Sequence, residues 1–244
     1  MNTTPSPSPA AGTLFLIPVP LGPTPPDSVL PAAVCEQTRQ LRHFIAENAK
    51  SARAFLKTIG MPVALQEIQI RELNEHTRSN ELPALLEDLR QGNDVGLVSE
   101  AGCPGVADPG ADLVRLAQRE SIPVSPLVGP SSLLLALMGS GLCGQRFAFH
   151  GYLPAKEDER SKRLKALEQE SRRLNQTQMF IETPYRNTQM MESLTRHLTP
   201  DTLLCLASSL TLPQQRLRTR TIAQWRKEEE ATAKEPTVFL FLAP

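Results

Sequence analysis

The chain has 244 residues, 40 % of them hydrophobic, and its 26 basic residues balance 26 acidic ones to a formal charge of zero. That balance is not the footprint of a protein that grips bare nucleic acid by neutralising phosphates, so any nucleic-acid contact has to be local. No apolar run reaches the about 20 residues of a membrane span, and the four cysteines at 35, 103, 143 and 205 form no CxxC pair that would suggest zinc or redox chemistry.

The length suffices for two domains, each with its own core. Residues 1–11 are rich in Pro, Ser and Thr and lack both a basic n-region and an apolar h-region. They read as a disordered tail rather than a signal peptide, and a cytoplasmic protein is expected. Strand and helix signals then alternate. A buried strand is predicted at 14–19, a short helix at 31–40, a strand at 43–46 and a helix at 49–59 ending at Gly60. A strand at 65–70, a helix at 80–91 closed by Gly92, a strand at 94–98, a helix at 112–120 and a strand at 123–128 follow. This order predicts a parallel sheet with helices on both faces, a domain over 12–128.

Gly129-Pro130-Ser131-Ser132 reads as a hinge into a second domain, 129–244. Its serines cap a buried helix through 133–138. A strand at 145–151 precedes a charged helix at 156–174, whose seven basic and five acidic residues read as a solvated face. A strand at 177–182, a helix at 187–198 and strands at 203–207 and 238–242 complete a mixed sheet. Cys35, Cys143 and Cys205 lie in apolar surroundings and read as small core residues.

The segment from Val98 to Gly110 holds three glycines and two prolines in thirteen residues, after a strand and before a helix. An ordinary βα loop has about two to six residues. Glycine allows close approach of backbone to ligand and proline stiffens the turn, so this loop predicts a small-molecule site. Several chemistries are absent from the sequence. No GxGxxG, GxxxxGK[ST] or GxSxG occurs, and the histidines at 43, 76, 150 and 197 show no metal-ligand spacing. No metal is expected.

The segment Ser99-Glu100-Ala101-Gly102-Cys103-Pro104 through Asp108-Pro109-Gly110 resembles the S-D-A-G-T-P-x-x-x-D-P-G signature of the tetrapyrrole methylase superfamily. Four more blocks match in order: 12–22, Pro126 to Ser132, Phe149 to Pro154, and Glu182-Thr183-Pro184-Tyr185-Arg186. The similarity covers about residues 12–244 and is greatest to the branch that 2′-O-methylates a cytidine of small-subunit ribosomal RNA. It implies two α/β domains with S-adenosylmethionine in the cleft between them, and a homodimer. By the match, the cofactor contacts are Pro20, Leu21, Gly22, Glu100, Gly102, Cys103, Ser131, Ser132, Ala207, Pro236 and Thr237. The match places Glu182 and Arg186 where they can orient or activate an acceptor hydroxyl, a weak acid that benefits from a base. An ion pair within their own loop is the competing role. Glu47, Lys50 and Tyr185 fall on the acceptor side.

On the cofactor side Glu100 replaces Asp, and the other departures from the pattern cluster on the acceptor side: Tyr185 replaces His, and Ala46-Glu47-Asn48-Ala49-Lys50 stands for A-E-D-T-R. Lysine does not reproduce arginine's bidentate fork. Ser208 to Leu212 has lost the R-E-L-T-K charges. The pattern is that of a shortened, divergent paralogue. Three readings stand: a methyltransferase acting on RNA, one acting on a tetrapyrrole or other small molecule, and a cofactor-binding protein that no longer methylates.

Overall fold

The computed structural model describes residues 10–228 and 234–244; most of the expected tail, 1–9, lies outside them. The chain forms two units, Met1–Pro130 and Ser131–Pro244.

The first unit runs β1 (Leu14–Ile17), α1 (Ala32–Gln40), β2 (His43–Ala46), α2 (Ala49–Thr58), β3 (Gln69–Glu72), α3 (Leu82–Leu85), α4 (Glu87–Arg90), β4 (Val95–Val98), α5 (Ala111–Arg119) and β5 (Val124–Pro126). Its sheet has the order β3-β2-β4-β1-β5, and every pairing is parallel. Because alternate residues of a strand face opposite sides, β2 sends Phe44 into one core and Ile45 into the other. Phe44 packs with Leu56 of α2 and Cys35 of α1, whereas Ile45 packs with Leu86, Leu89 and Leu113. Helices therefore cover both faces, as expected. A Cβ on Gly96 would stand 2.7 Å from Ile17 and 2.8 Å from the Phe44 ring, so the middle strand needs glycine where these side chains cross it.

Two elements differ from expectation. The strand predicted at 65–70 is a 3-10 turn, Leu65–Glu67, followed by β3 two residues later. The apolar residues Leu65, Ile68 and Ile70 are spaced by three and then two, so they do not line one strand face. The helix predicted at 80–91 is two short helices broken at Leu86, which leaves Leu82, Leu85, Leu86 and Leu89 all buried. The four keep the i, i+3, i+4, i+7 spacing of one helix face, so the break at Leu86 (φ −88°, ψ 0°) leaves the buried stripe intact.

The second unit runs α6 (Ser132–Ser140), β6 (Phe147–Tyr152), α7 (Glu157–Leu174), β7 (Thr177–Glu182), α8 (Asn187–His197), β8 (Leu203–Ser208), β9 (Arg216–Thr221), α9 (Ile222–Trp225) and β10 (Thr237–Leu242). Sheet order is β6-β7-β10-β8-β9, parallel between β6 and β7 and antiparallel elsewhere. Phe180 and Phe239 stack at 5.3 Å in its core.

Sequence reading missed β9. Its Arg-Leu-Arg-Thr-Arg-Thr run is too charged to signal a strand, yet period two puts its arginines on one face of an edge strand. Glu228 pairs with Arg218 at 2.8 Å and Arg220 at 3.3 Å, and Arg218 also lies 5.7 Å from the Trp225 ring. The expected solvated face of α7 is present, and the reading is corrected at two of its charged residues. Arg160 is 1 % exposed, donating to Ser193 Oγ (2.9 Å) and the Ala155 carbonyl (2.7 Å), and Glu168 accepts from Thr199 and Thr202. The expectation of a buried α6 is corrected as well: Ala136, Leu137 and Ser140 are buried, but Leu134 and Met138 are exposed. Cys35 and Cys205 are core residues, whereas Cys143 is half-buried.

Candidate active site

In the first unit the site grows from the ends of β1 and β4, neighbours in the sheet. Beyond β1 the chain reads Pro18-Val19-Pro20-Leu21-Gly22-Pro23-Thr24-Pro25-Pro26, five prolines in nine residues. Each proline fixes φ, so the loop is stiff before any ligand arrives. It is tied to the glycine-rich loop by a reciprocal bridge. Val19 N donates to Gly102 O (2.9 Å) and Gly102 N to Val19 O (3.1 Å). Gly102 has φ +76°, the left-handed region where other residues are strained. Ser99 Oγ also donates to Gly102 O at 3.1 Å.

The bridge sets Pro20, Leu21, Gly22 and Glu100 around one cavity of about 250 Å³, with α2 as its opposite wall. Glu100 is held from α2 by a short hydrogen bond from Ser51 Oγ. Ser51 is itself fixed by the α2 N-cap, where the Asn48 side chain accepts from Lys50 N at 2.8 Å. Cys103 sits behind, its Sγ donating to Pro130 O at 3.4 Å, and burial pushes its thiol up. Lys50 is exposed and lies outside the cavity lining.

The far end of the same loop borders a second cavity, about 330 Å³, between Leu73 to Leu82 and the start of α5. Asp108 lines it. Partial burial, a hydrogen bond to Glu47 and the charges of Glu47 and Glu100 push the Asp108 carboxyl up to about 8. Asp108 is therefore protonated near neutrality and able to donate. Sequence reading quoted Asp108 within the signature but gave it no role. Its neighbour Glu47 was singled out, and the structure brings the two together.

In the second unit, strand register sets Thr237 abreast of both Glu182 and Ser208, with Ala207 opposite Val238 and Pro236 just before β10. Glu182 has a fully buried side chain. Its Oε1 accepts from Thr183 N at 2.8 Å, and its Oε2 lies 2.9 Å from Arg186 Nη2, a charge contact not aligned as a hydrogen bond. Asn187 Nδ2 ties this corner to Thr237 Oγ1 at 3.1 Å. Ser209 and Thr211 both have positive φ, an uncommon conformation for side-chain-bearing residues that recurs at functional loops. The sequence marks both only as part of the altered 208–212 block and gives no sign of their backbone conformation. Tyr185 is 78 % exposed. Ser131 caps α6, accepting from Leu134 N at 3.5 Å, and Ser132 opens the helix. Among the described residues no group of three or more His, Cys, Asp or Glu is placed to hold a metal, and no helix is long and apolar enough to cross a membrane.

No family model matches the chain. It is similar to curated proteins named ribosomal RNA small subunit methyltransferase I: 36 % identical to that of Pseudomonas aeruginosa over 76 % of this chain and 60 % of the relative. It is 29 % identical to that of Escherichia coli O157:H7 over 94 % of this chain and 77 % of the relative. The Synechocystis protein is 32 % identical over 82 % of this chain and 67 % of the relative. The chain thus spans about three fifths to three quarters of these relatives' length. Among solved structures, the methyltransferase CobJ aligns over 96 % of this chain and 100 % of its own, with TM-score 0.61 and 17 % identity. Uroporphyrin-III-C-methyltransferase from Thermus thermophilus aligns over 95 % and 92 %, with TM-score 0.52 and 16 % identity, a likeness of fold. By these relatives and the ordered motifs, the chain belongs to the tetrapyrrole methylase superfamily, in the branch of the ribosomal RNA small subunit methyltransferase I proteins.

Proposed function

We propose that the protein is an S-adenosylmethionine-dependent methyltransferase whose acceptor is an RNA hydroxyl. The observation that supports this most is the Val19–Gly102 bridge, which fixes two loops of the signature around one cavity with a carboxylate at its edge. The residues present suit the cofactor. Glu100 offers an anion to an ammonium group, and Pro20 to Gly22 and Gly102-Cys103 offer backbone amides and carbonyls at close range. From the second unit we assign Ser131, Ser132, Ala207, Pro236 and Thr237 to the same cofactor.

When bound, S-adenosylmethionine supplies a methyl group already activated by its sulfonium. The protein's task is then mainly placement, which in favourable cases supplies about 7–11 kcal/mol of a barrier. Glu100 is oriented by Ser51 rather than left to find its rotamer. Glu182 and Arg186 brace their loop, since both Glu182 oxygens are engaged and buried. Asp108 holds a proton against Glu47 on the side assigned to the acceptor, together with Lys50 and Tyr185. Asn48, which departs from the family's acid, keeps the N-cap role for which Asn and Asp are nearly equal. That substitution therefore leaves the local frame of an active enzyme intact. Lys50 for Arg is the departure that favours the second reading, an altered or absent acceptor.

We also place the protein in the cytoplasm and as a homodimer; a monomeric mass by light scattering at micromolar concentration removes the dimer. The main test is calorimetric titration with S-adenosylhomocysteine, followed by methyl transfer from labelled S-adenosylmethionine to ribosomal small subunits, total RNA and porphyrin precursors. Micromolar binding and labelled RNA are expected. Label only in the porphyrin precursors moves the acceptor to small molecules. Binding without label in any acceptor leaves a cofactor-binding protein. Lack of binding by folded protein removes the methyltransferase reading.

A further inference from the structure

The cation and the carboxylate missing from the 208–212 block reappear on the segments beside it. Ser208 closes β8 and Ser209 follows, where the family pattern carries Arg and Glu. Both serines are buried, and Ser209 turns the chain at φ +50°. On one side, β9 sets the exposed Arg216 abreast of Ser208, and directly opposed residues of antiparallel strands share one face. On the other side, Glu235 stands just ahead of β10, and the Ser209 hydroxyl donates a short hydrogen bond to its Oε2. A cation thus accompanies the first position of the lost pair and a carboxylate the second, each supplied from across the sheet rather than along β8.

Glu235 is held in place by more than this contact. Its backbone carbonyl accepts from Asn187 Nδ2 at 2.8 Å and from Thr237 Oγ1 at 2.9 Å. Asn187 opens α8, and Thr237 opens β10 between Glu182 and Ser208. Regular structure therefore positions both donors, and Ser209 fixes the side chain. Only Oε2 is spent on Ser209. The other oxygen has no hydrogen bond or ion pair among the described residues, and Glu235 is half-buried rather than enclosed. A carboxylate accepts about four hydrogen bonds, so this one keeps capacity for a donor from outside the protein.

We infer that Glu235 supplies the carboxylate that the family pattern carries at 209, and that its second oxygen takes a hydrogen bond from a hydroxyl of the acceptor. This rests on the reading of the chain as an RNA-directed methyltransferase and adds a residue that holds the acceptor. RNA offers a hydroxyl donor at each 2′ position, which DNA lacks. The role is binding: the carboxylate grips the acceptor and takes no proton from it. Loss of the acid at 209 is then an exchange of position and not a loss of the group, and the acceptor side of this chain is rebuilt at that point.

The test uses the whole chain and follows methyl transfer from labelled S-adenosylmethionine to ribosomal small subunits at varied subunit concentration, with calorimetry of S-adenosylhomocysteine and thermal melting alongside. Glu235→Gln keeps an oxygen for Ser209 and removes the charge. It is expected to raise KM for the subunits about tenfold or more, the effect of losing a hydrogen bond to a charged group, with kcat and S-adenosylhomocysteine affinity within about twofold of the parent. Glu235→Ser is expected to do the same, and adding Ser209→Glu to it to bring KM back to within about twofold, because the exchange returns the carboxylate to the same contact from the other side. A brace for the loop alone predicts instead a parental KM in Glu235→Gln, and that result overturns the inference while leaving the methyltransferase reading in place. So does a weakened S-adenosylhomocysteine affinity in Glu235→Gln, which makes Glu235 a cofactor residue, and so does an exchange variant that melts like the parent without recovering KM. If the exchange variant does not fold, Glu235→Gln decides alone. A parent that methylates no RNA removes the RNA-directed reading and this inference with it.

Discussion

Asp108, in the glycine-rich loop, is hydrogen-bonded to Glu47, at the turn from β2 into α2. Two acids separated by 61 positions meet because β2 and β4 are paired in register, Ala46 beside Val98, and both chains leave the sheet at the same end. One of the two must hold a proton for the contact to be attractive.

This sets a pH dependence. Burial first, then the Glu47 hydrogen bond and charge, push the folded-state Asp108 up to about 8 from its ordinary 3.8. Between those values the folded protein binds more protons at this site than the unfolded chain, so stability falls as pH rises from about 4 to about 8 and levels off above. Asp108→Asn keeps a donor without the titration. Urea midpoints at pH 5 and pH 8 are expected to differ less in the variant than in the parent, with the variant the more stable at pH 8. Equal pH dependence in both proteins rejects the assignment.

Glu100 meets Ser51 on one side and the cavity on the other. A hydrogen bond to a charged group contributes about 1.5–3 kcal/mol, so Glu100→Ala is expected to weaken S-adenosylhomocysteine binding about 10- to 100-fold by calorimetry. An unchanged affinity means that the carboxylate does not touch the cofactor.

Glu182 has been assigned as a brace. Glu182→Ala leaves the Arg186 charge without its buried counterpart, a change that costs about 3 kcal/mol in comparable pairs, and chemical denaturation should register it. Binding of S-adenosylhomocysteine should stay within about twofold. A variant of parental stability whose methyl transfer is abolished would make Glu182 the base instead.

Asn48 separates structural from functional readings of the altered A-E-N-A-K segment. Its side chain accepts from Lys50 N and Ser51 N at the start of α2. Asn48→Ala is expected to lower stability by about 1 kcal/mol. Asn48→Asp should match or exceed the parent, because a carboxylate at a helix N-terminus also meets the helix dipole favourably. If Asn48→Asp is the less stable, the cap is not what selects this residue.

Much of this architecture is legible in the sequence. Strand 43–46 and strand 177–182 are found at the expected bounds because each is an uninterrupted run between clear helix signals. What escaped is instructive in physical terms. An edge strand needs only one neighbour and faces water, so β9 carries arginines where a central strand carries valine or leucine. Arg160 looks like any surface charge of a helix until Ser193 and the Ala155 carbonyl, 33 and 5 positions away, are seen to enclose it. Pro20, Leu21, Gly22 and Glu100 were marked only by the family resemblance, and the structure sets them around one cavity. Their partner Ser51 was not marked, because a serine in the first turn of a helix has several ordinary uses.

The placement of β10 has a consequence for how the protein comes into being. It is the middle strand of the second sheet, paired with β7 on one side and β8 on the other. The first unit has all five strands of its sheet by residue 126, so a growing chain can complete it early, whereas the second sheet stays split until residue 242 has been synthesised. During that interval β7 and β8 expose unpaired edges, which are templates for association with other chains. The half-made second unit is therefore the stage at which nascent-chain protection matters most.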